Sequence, residues 1–255
     1  MGLYVVSGSA GGIGGAIRAR IEAEANQVIG VDVRDAEVVA DLSSPEGRDE
    51  MVAGVAELAG TLLDGVVAAA GLGGSGGAPN ATIASVNYFG ALATLDGLRP
   101  LLEQGERPAA VAVSSNSAPL AGAGTPLVDA LLADDETQAR RLADAAGDDQ
   151  GEAIYAQSKL ALARAIRRRA QDWGDAGVRL NAIAPGPVLT PLTQSGLDHP
   201  VTGELIRSYP IPLGRWGEKD EIADGVWFLL TNTWIHGSVL FVDGGTDALL
   251  APDRL

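Results

Sequence analysis

The chain contains no cysteine, which excludes disulfide bonds and thiol nucleophiles and fits a reducing, cytoplasmic setting. Its two histidines, His199 and His236, are isolated, with no second ligand at metal-binding spacing, so no metal site is expected and both read as structural. Positive charge is scarce. Eighteen Lys and Arg stand against 33 Asp and Glu, and the net charge of -15 opposes binding to nucleic acid or an anionic membrane. No stretch reaches the roughly 18 uninterrupted apolar residues of a membrane span. The chain opens almost at once on the strand-like run Leu3-Tyr4-Val5-Val6, without the basic and apolar regions of a signal peptide. Repeats and an interdomain linker are also missing. What is there is 255 residues with 46% hydrophobic content, enough for one large domain spanning 1–255.

Apolar, β-branched runs alternate with helical segments along most of that length. Strands are predicted at Gly2 to Ser7, Gln27 to Asp32, Glu37 to Ala40, Asp64 to Gly71, Ala109 to Val113, Val178 to Ala184 and Val239 to Val242. This rhythm predicts an α/β fold: a single-domain, doubly wound parallel sheet of Rossmann type, whose ligands bind at the carboxyl ends of the strands. The first strand runs into Gly8-Ser9-Ala10-Gly11-Gly12-Ile13-Gly14. Glycines there let the backbone turn tightly into a helix, and the free N–H groups of that helix suit a pyrophosphate. Asp32 ends the second strand eighteen residues after Gly14, where a dinucleotide fold places the carboxylate for the adenosine ribose. A carboxylate there repels a 2′-phosphate and favours NAD over NADP. Arg34, two residues on, works the other way.

Tyr155 and Lys159 stand four residues apart at the start of a helical run, one turn apart on one face. An ammonium beside a phenol favours the phenolate, giving a tyrosine able to exchange a proton with an alcohol or carbonyl. Just before them, residues 119–150 interrupt the strand–helix rhythm. This insertion reads as one or two amphipathic helices with Leu127, Val128, Leu131, Leu132 and Leu142 on the apolar side and many acids on the other. Those acids are placed to face Arg164, Arg167, Arg168 and Arg169. Residues 191–214, with Leu192, Leu197, Val201, Leu205, Ile206, Tyr209, Ile211 and Leu213, read equally well as a substrate lid or as plain surface packing.

Taken together, Ser7-Gly8-x-x-x-Gly12-Ile13-Gly14, Asp41-Leu42, Ala70-Gly71, Asn87, Ser114-Ser115, Tyr155-x-x-x-Lys159, Pro185-Gly186 and Val242-Asp243-Gly244-Gly245 resemble the short-chain dehydrogenase/reductase family along nearly the whole chain. Within it, Val31 to Val38, Ser85 to Gly90, Ala176 to Asn181 and the long insertion are similar to the bacterial hydroxysteroid dehydrogenase and carbonyl reductase branch. The resemblance implies an NAD-dependent oxidoreductase that interconverts a secondary alcohol and a ketone. It implies a catalytic set of Asn87, Ser115, Tyr155 and Lys159, with Ser114 one position away as the alternative serine. It implies a cofactor bed of Gly8, Ser9, Gly12, Ile13, Gly14, Asp32, Val33, Asp41, Leu42, Ala70, Gly71, Tyr155, Lys159, Pro185, Gly186, Val188 and Thr190. Lys159 would lower the Tyr155 pKa, and Asn87 would anchor a water linking Lys159 to solvent. Ala68-Ala69-Ala70-Gly71 departs from the family's usual Asn-Asn-Ala-Gly, which removes side-chain hydrogen bonds there. The apolar residues Ala118, Pro119, Leu120 and Leu192 point to a small hydrophobic substrate, a steroid or bulky ketone. Alternatives are a terpenoid, sugar or acyl alcohol dehydrogenase of the same family, or a non-catalytic NAD-sensing protein on the same fold. The insertion's position predicts a homodimer, with a tetramer as the alternative.

Overall fold

In the computed structural model, residues 1–122, 124–198 and 202–253 are described. The apolar runs form seven strands: β1 (Leu3–Ser7), β2 (Gln27–Asp32), β3 (Val38–Val39), β4 (Gly65–Ala68), β5 (Ala109–Val113), β6 (Arg179–Pro185) and β7 (Val239–Val242). All pair in parallel, in the order β3-β2-β1-β4-β5-β6-β7. The order reverses between β1 and β4, which opens a crevice at the carboxyl ends of those strands.

Helices cover both faces, and strand alternation decides which residue meets which layer. Val6, Val67 and Val111 face α1 (Gly12–Ala23) and α10 (Lys219–Thr231), packing with Ile17, Ile21 and Val226. Val5, Val66 and Ala110 face the other layer, with Leu95, Leu98 and Leu162. That layer is α2 (Pro45–Ala59), a long composite helix and α7 (Gly151–Asp175). The composite helix consists of α3 (Asn80–Ala84), a π turn (Ser85–Gly90) and α4 (Ala91–Leu102). The composite helix thus runs from Asn80 to Leu102 and is widened in the middle.

His236 is structural, as expected: Nδ1 accepts the Leu180 N–H and Nε2 faces the Ala170 carbonyl, tying β6 to α7. His199 and Val201 lie outside the described residues, as do the side chains of Leu192, Leu205 and Ile206.

The insertion forms two helices, α5 (Pro126–Leu132) and α6 (Glu136–Ala145). Thr125 caps α5 through the Val128 N–H, with Pro126 at the first helical position, and Asp135 caps α6 through the Gln138 N–H. Leu127, Val128 and Leu131 are buried in the chain's own core beside α7, and Leu132 and Leu142 pack against it half-buried. The apolar face of the insertion is therefore satisfied within the chain, and deleting residues 122–147 would strip the core. Among the described residues, no ion pair joins the insertion's acids to the arginine run, contrary to expectation. Arg169 pairs with Asp96 of α4, while Glu136 pairs with Arg48 of α2 and Asp144 caps α3 at the Ala81 N–H. The segment 191–214 begins with two short helices, α8 (Pro191–Asp198) and α9 (Thr202–Arg207), and α11 (Thr246–Leu250) closes the described chain.

Candidate active site

A cleft of about 530 Å³ lies across the carboxyl ends of β1, β2, β4, β5 and β6. Its floor starts at the glycine turn. Gly8 and Gly12 have φ of 72° and 57°, a conformation that side chains rarely adopt. A Cβ on Gly14 would sit 2.1 Å from the Gly8 carbonyl oxygen, so only glycine lets α1 close on the end of β1. No side chain caps α1 and no acid occupies its first turn, which leaves its N–H groups directed at the cleft. Around Gly11 and Gly12 an added Cβ would meet nothing within 4 Å. An uncapped, cation-like helix end with open space before it fits a pyrophosphate. Asp32 stands beside it, accepting the Ala10 N–H at 3.0 Å and its neighbour Val33 N–H at 2.7 Å. Arg34 lines the same end of the cleft.

The exit of β4 forms the next wall. Where the family usually places asparagine side chains, the Ser7 hydroxyl accepts the N–H groups of Ala69 and Ala70, at 3.1 and 3.2 Å. Asn87 then takes the next residues in hand. Its Oδ1 accepts the Leu72 N–H at 2.8 Å, and its Nδ2 donates to the Leu72 carbonyl and to Ser158 Oγ. The loss of the asparagines is thus offset by Ser7 and Asn87, and the strand exit stays fixed. Both Nδ2 protons of Asn87 are committed, so its side chain can join a proton relay only as an acceptor.

Ser115, Tyr155 and Lys159 meet on the far wall, beyond β5. The two candidate serines separate cleanly. Ser114 Oγ donates to the Lys159 backbone carbonyl and is spent on α7. Ser115 Oγ accepts from both the N–H and the hydroxyl of Ser117, at 3.1 and 2.9 Å, and stands close enough to the Tyr155 phenol to work against the rise in its pKa. Because Ser117 supplies both of those protons, the Ser115 proton is free for the phenolate. Lys159 is buried, donates to the Val113 carbonyl at 2.8 Å and lies 5.9 Å from the Tyr155 ring centroid.

The pKa directions correct one expectation. Burial pushes the Tyr155 phenol up; the Ser115 hydrogen bond works against that, and the Glu152 charge adds to it. Burial also drives Lys159 down, to about 8, and its amine donates one hydrogen bond to the Val113 carbonyl.

Of the catalytic and cofactor residues expected from the sequence, all but Ser9 and Asn87 line the cleft, whereas Ala118, Pro119 and Leu120, expected to face the substrate, are not among its lining residues. Ser9 points inward to the Val31 carbonyl. Sequence reasoning missed Ser7, Ser117 and Thr193. Thr193 lines the cleft from α8 and donates to the Val188 carbonyl at 2.6 Å. The strands' exits also carry Leu120 and Leu189, both more than half exposed.

A family model described as enoyl-(acyl carrier protein) reductase matches residues 143–247. Over the full length of both chains, the sequence is 46% identical to the 3-alpha-hydroxysteroid dehydrogenase/carbonyl reductase of Comamonas testosteroni. The crystal structure of the 3-alpha-hydroxysteroid dehydrogenase from Pseudomonas sp. B-0831, complexed with NADH, superposes with a TM-score of 0.95 at 45% identity. It covers 99% of this chain and 100% of that one. The ligand-free aldohexose dehydrogenase of Thermoplasma acidophilum, at 22% identity and a TM-score of 0.75 over 100% of this chain and 96% of its own, shares the fold.

Proposed function

The chain belongs to the short-chain dehydrogenase/reductase family and is an alcohol/ketone oxidoreductase; from that premise we propose that it acts with NAD on the secondary hydroxyl or ketone of a bulky hydrophobic substrate of the 3α-hydroxysteroid type. The observation that carries the site assignment is the meeting of Ser115, Tyr155 and Lys159 on one wall of the cleft. NAD, when bound, supplies the nicotinamide carbon that takes or gives the hydride. The chain's own residues do the rest. The α1 N-terminus holds negative charge, and the Asp32 carboxylate accepts ribose hydroxyls while repelling a 2′-phosphate. Ser115 and Tyr155 hold the substrate oxygen between two hydroxyls. In oxidation the Tyr155 phenolate takes the hydroxyl proton at its oxygen; in reduction the phenol returns a proton to the carbonyl oxygen. A positioned acid/base of this kind contributes about 10²–10⁴-fold in rate. Lys159 presents its amine to the cleft for sugar hydroxyls. Exposed Leu120 and Leu189 support an apolar substrate. A homodimer in the cytoplasm completes the proposal, supported by a half-buried edge strand β7, the exposed Phe228 and Trp234, and the cysteine-free composition.

The test is NADH formation against a panel of 3α-hydroxysteroids, terpenoid alcohols and sugars. Higher kcat/KM on the steroids is expected. Preference for a sugar or an acyl substrate, or no turnover on any alcohol, would contradict the reading.

A further inference from the structure

Resting on that assignment of the catalytic groups, we propose that Arg140, on α6 of the insertion, is a positioning residue that fixes the π turn carrying Asn87. Glu136, Arg140 and Asp144 recur every four residues and so form one stripe along α6. Acids and bases in such a stripe usually face water. Here each is spent on the framework of the site. Glu136 takes Arg48 of α2 with two hydrogen bonds, at 3.2 and 2.5 Å. Asp144 accepts the Ala81 N–H of α3 at 3.0 Å, and beyond it the Gly147 carbonyl accepts from Asn80 Nδ2 at 2.8 Å. Arg140 Nη1, between them, donates to Ser85 Oγ at 2.6 Å. Ala139 and Ala143, both fully buried, are the small residues that let α6 come this close.

Ser85 is fully buried and opens the π turn. A buried hydroxyl without a partner is costly, so the contact with Arg140 fixes where this turn begins. A π turn is rare and persists because its surroundings hold it, and α3 before it is only five residues long with no side-chain cap of its own. Two residues after Ser85, Asn87 clamps Leu72 through both backbone groups and donates to Ser158 Oγ at 3.2 Å. Ser158 Oγ in turn donates to the Tyr155 carbonyl at 2.7 Å. Gly71, beside Leu72, closes on the lysine: a Cβ there would lie 3.2 Å from Asn87 Oδ1 and 3.3 Å from Lys159 Nζ. A shift in the π turn therefore reaches both Tyr155 and Lys159, while the glycine turn and Asp32 lie elsewhere and stay as they are.

The experiment compares Arg140→Met, Arg140→Lys, Ser85→Ala and the Arg140→Met/Ser85→Ala double variant. A misplacement near 1 Å costs up to about a hundredfold, so Arg140→Met is expected to lower kcat about ten- to a hundredfold. KM for NAD should stay within about twofold, because the pyrophosphate end is untouched. The Leu72 amide should exchange faster in the same variant. Arg140→Lys should recover most of kcat, and the double variant should be no worse than Ser85→Ala, as expected of two residues acting through one contact. Wild-type kcat and Leu72 exchange in Arg140→Met, or additive losses in the double variant, would overturn the proposal. Tyr155→Phe run in parallel separates the two claims: if it keeps turnover, the catalytic assignment fails, and Leu72 exchange still decides the role of Arg140.

Discussion

At the level of single residues, Tyr155 is governed by its burial and by two neighbours of different kinds. Its phenol is raised by burial first, lowered by the Ser115 hydrogen bond and raised by the Glu152 charge. In the proposed reaction oxidation needs the phenolate, so its rate is expected to climb with pH as the phenol ionises. Removing the Ser115 hydroxyl removes what lowers the pKa, and removing the Glu152 charge removes what raises it. The rising limb of kcat against pH should therefore move to higher pH in Ser115→Ala and to lower pH in Glu152→Gln, measured over about pH 6–11. Movement of either limb in the other direction would show that different groups set this ionisation. At the opposite end of the cleft, Asp32→Ala should narrow the preference for NAD over NADP, read as the ratio of the two kcat/KM values. A wild type that prefers NADP would place Arg34 in command there. Tyr155, Lys159 and the glycine turn were legible in the sequence because backbone spacing alone sets their relation. Ser7 and Ser117 were not, since serine is common and nothing local shows which hydroxyl will find a loop amide. The direction of the Tyr155 shift was missed for a similar reason: the burial that raises the phenol comes from tertiary packing that spacing does not reveal.

The elements divide in the same way. Each strand was legible from its run of apolar, β-branched residues, and the parallel, doubly wound sheet from the alternation of strands and helices; the strand order itself emerged only from the structure. The π turn was invisible because Ser85 to Gly90 has no pattern different from an α-helix; it is imposed by α6 and the Leu72 loop. The insertion was recognised as helical, but its contacts were not. Arg48 and Glu136 are far apart in sequence and meet only after α2 and α6 have both docked. Arg48 is 7% exposed, and it also lies over the Phe89 ring. Glu136→Ala would leave that guanidinium buried without its counter-charge, so it should destabilise the chain by about 3–5 kcal/mol. Replacing both with apolar residues, Arg48→Met with Glu136→Leu, should cost much less. Chemical denaturation of the two variants checks this. Equal losses for the single and double variants would mean the pair is not what the site depends on.

Across the whole molecule, the core closes within one chain, including the leucines of the insertion that had suggested a partner. What stays uncovered lies elsewhere: β7 is half-buried along its length, and Phe228 and Trp234 near it are 48% and 95% exposed. A homodimer is therefore expected by light scattering at micromolar concentration, and Trp234→Ser with Phe228→Ser should shift it toward monomer. An unchanged mass in that variant would rule out this face. Catalysis is expected to survive the shift, because Ser115, Tyr155 and Lys159 meet within one chain. The central claim is that a tyrosine on α7 moves the proton while the rest of the cleft holds NAD. Its most direct test is Tyr155→Phe, with steroid-dependent NADH formation and NAD affinity by calorimetry measured on the same preparation. The account predicts a kcat lower by about 10²-fold or more with the NAD dissociation constant nearly unchanged. A variant that keeps most of its kcat, or loses NAD binding along with it, would contradict the account.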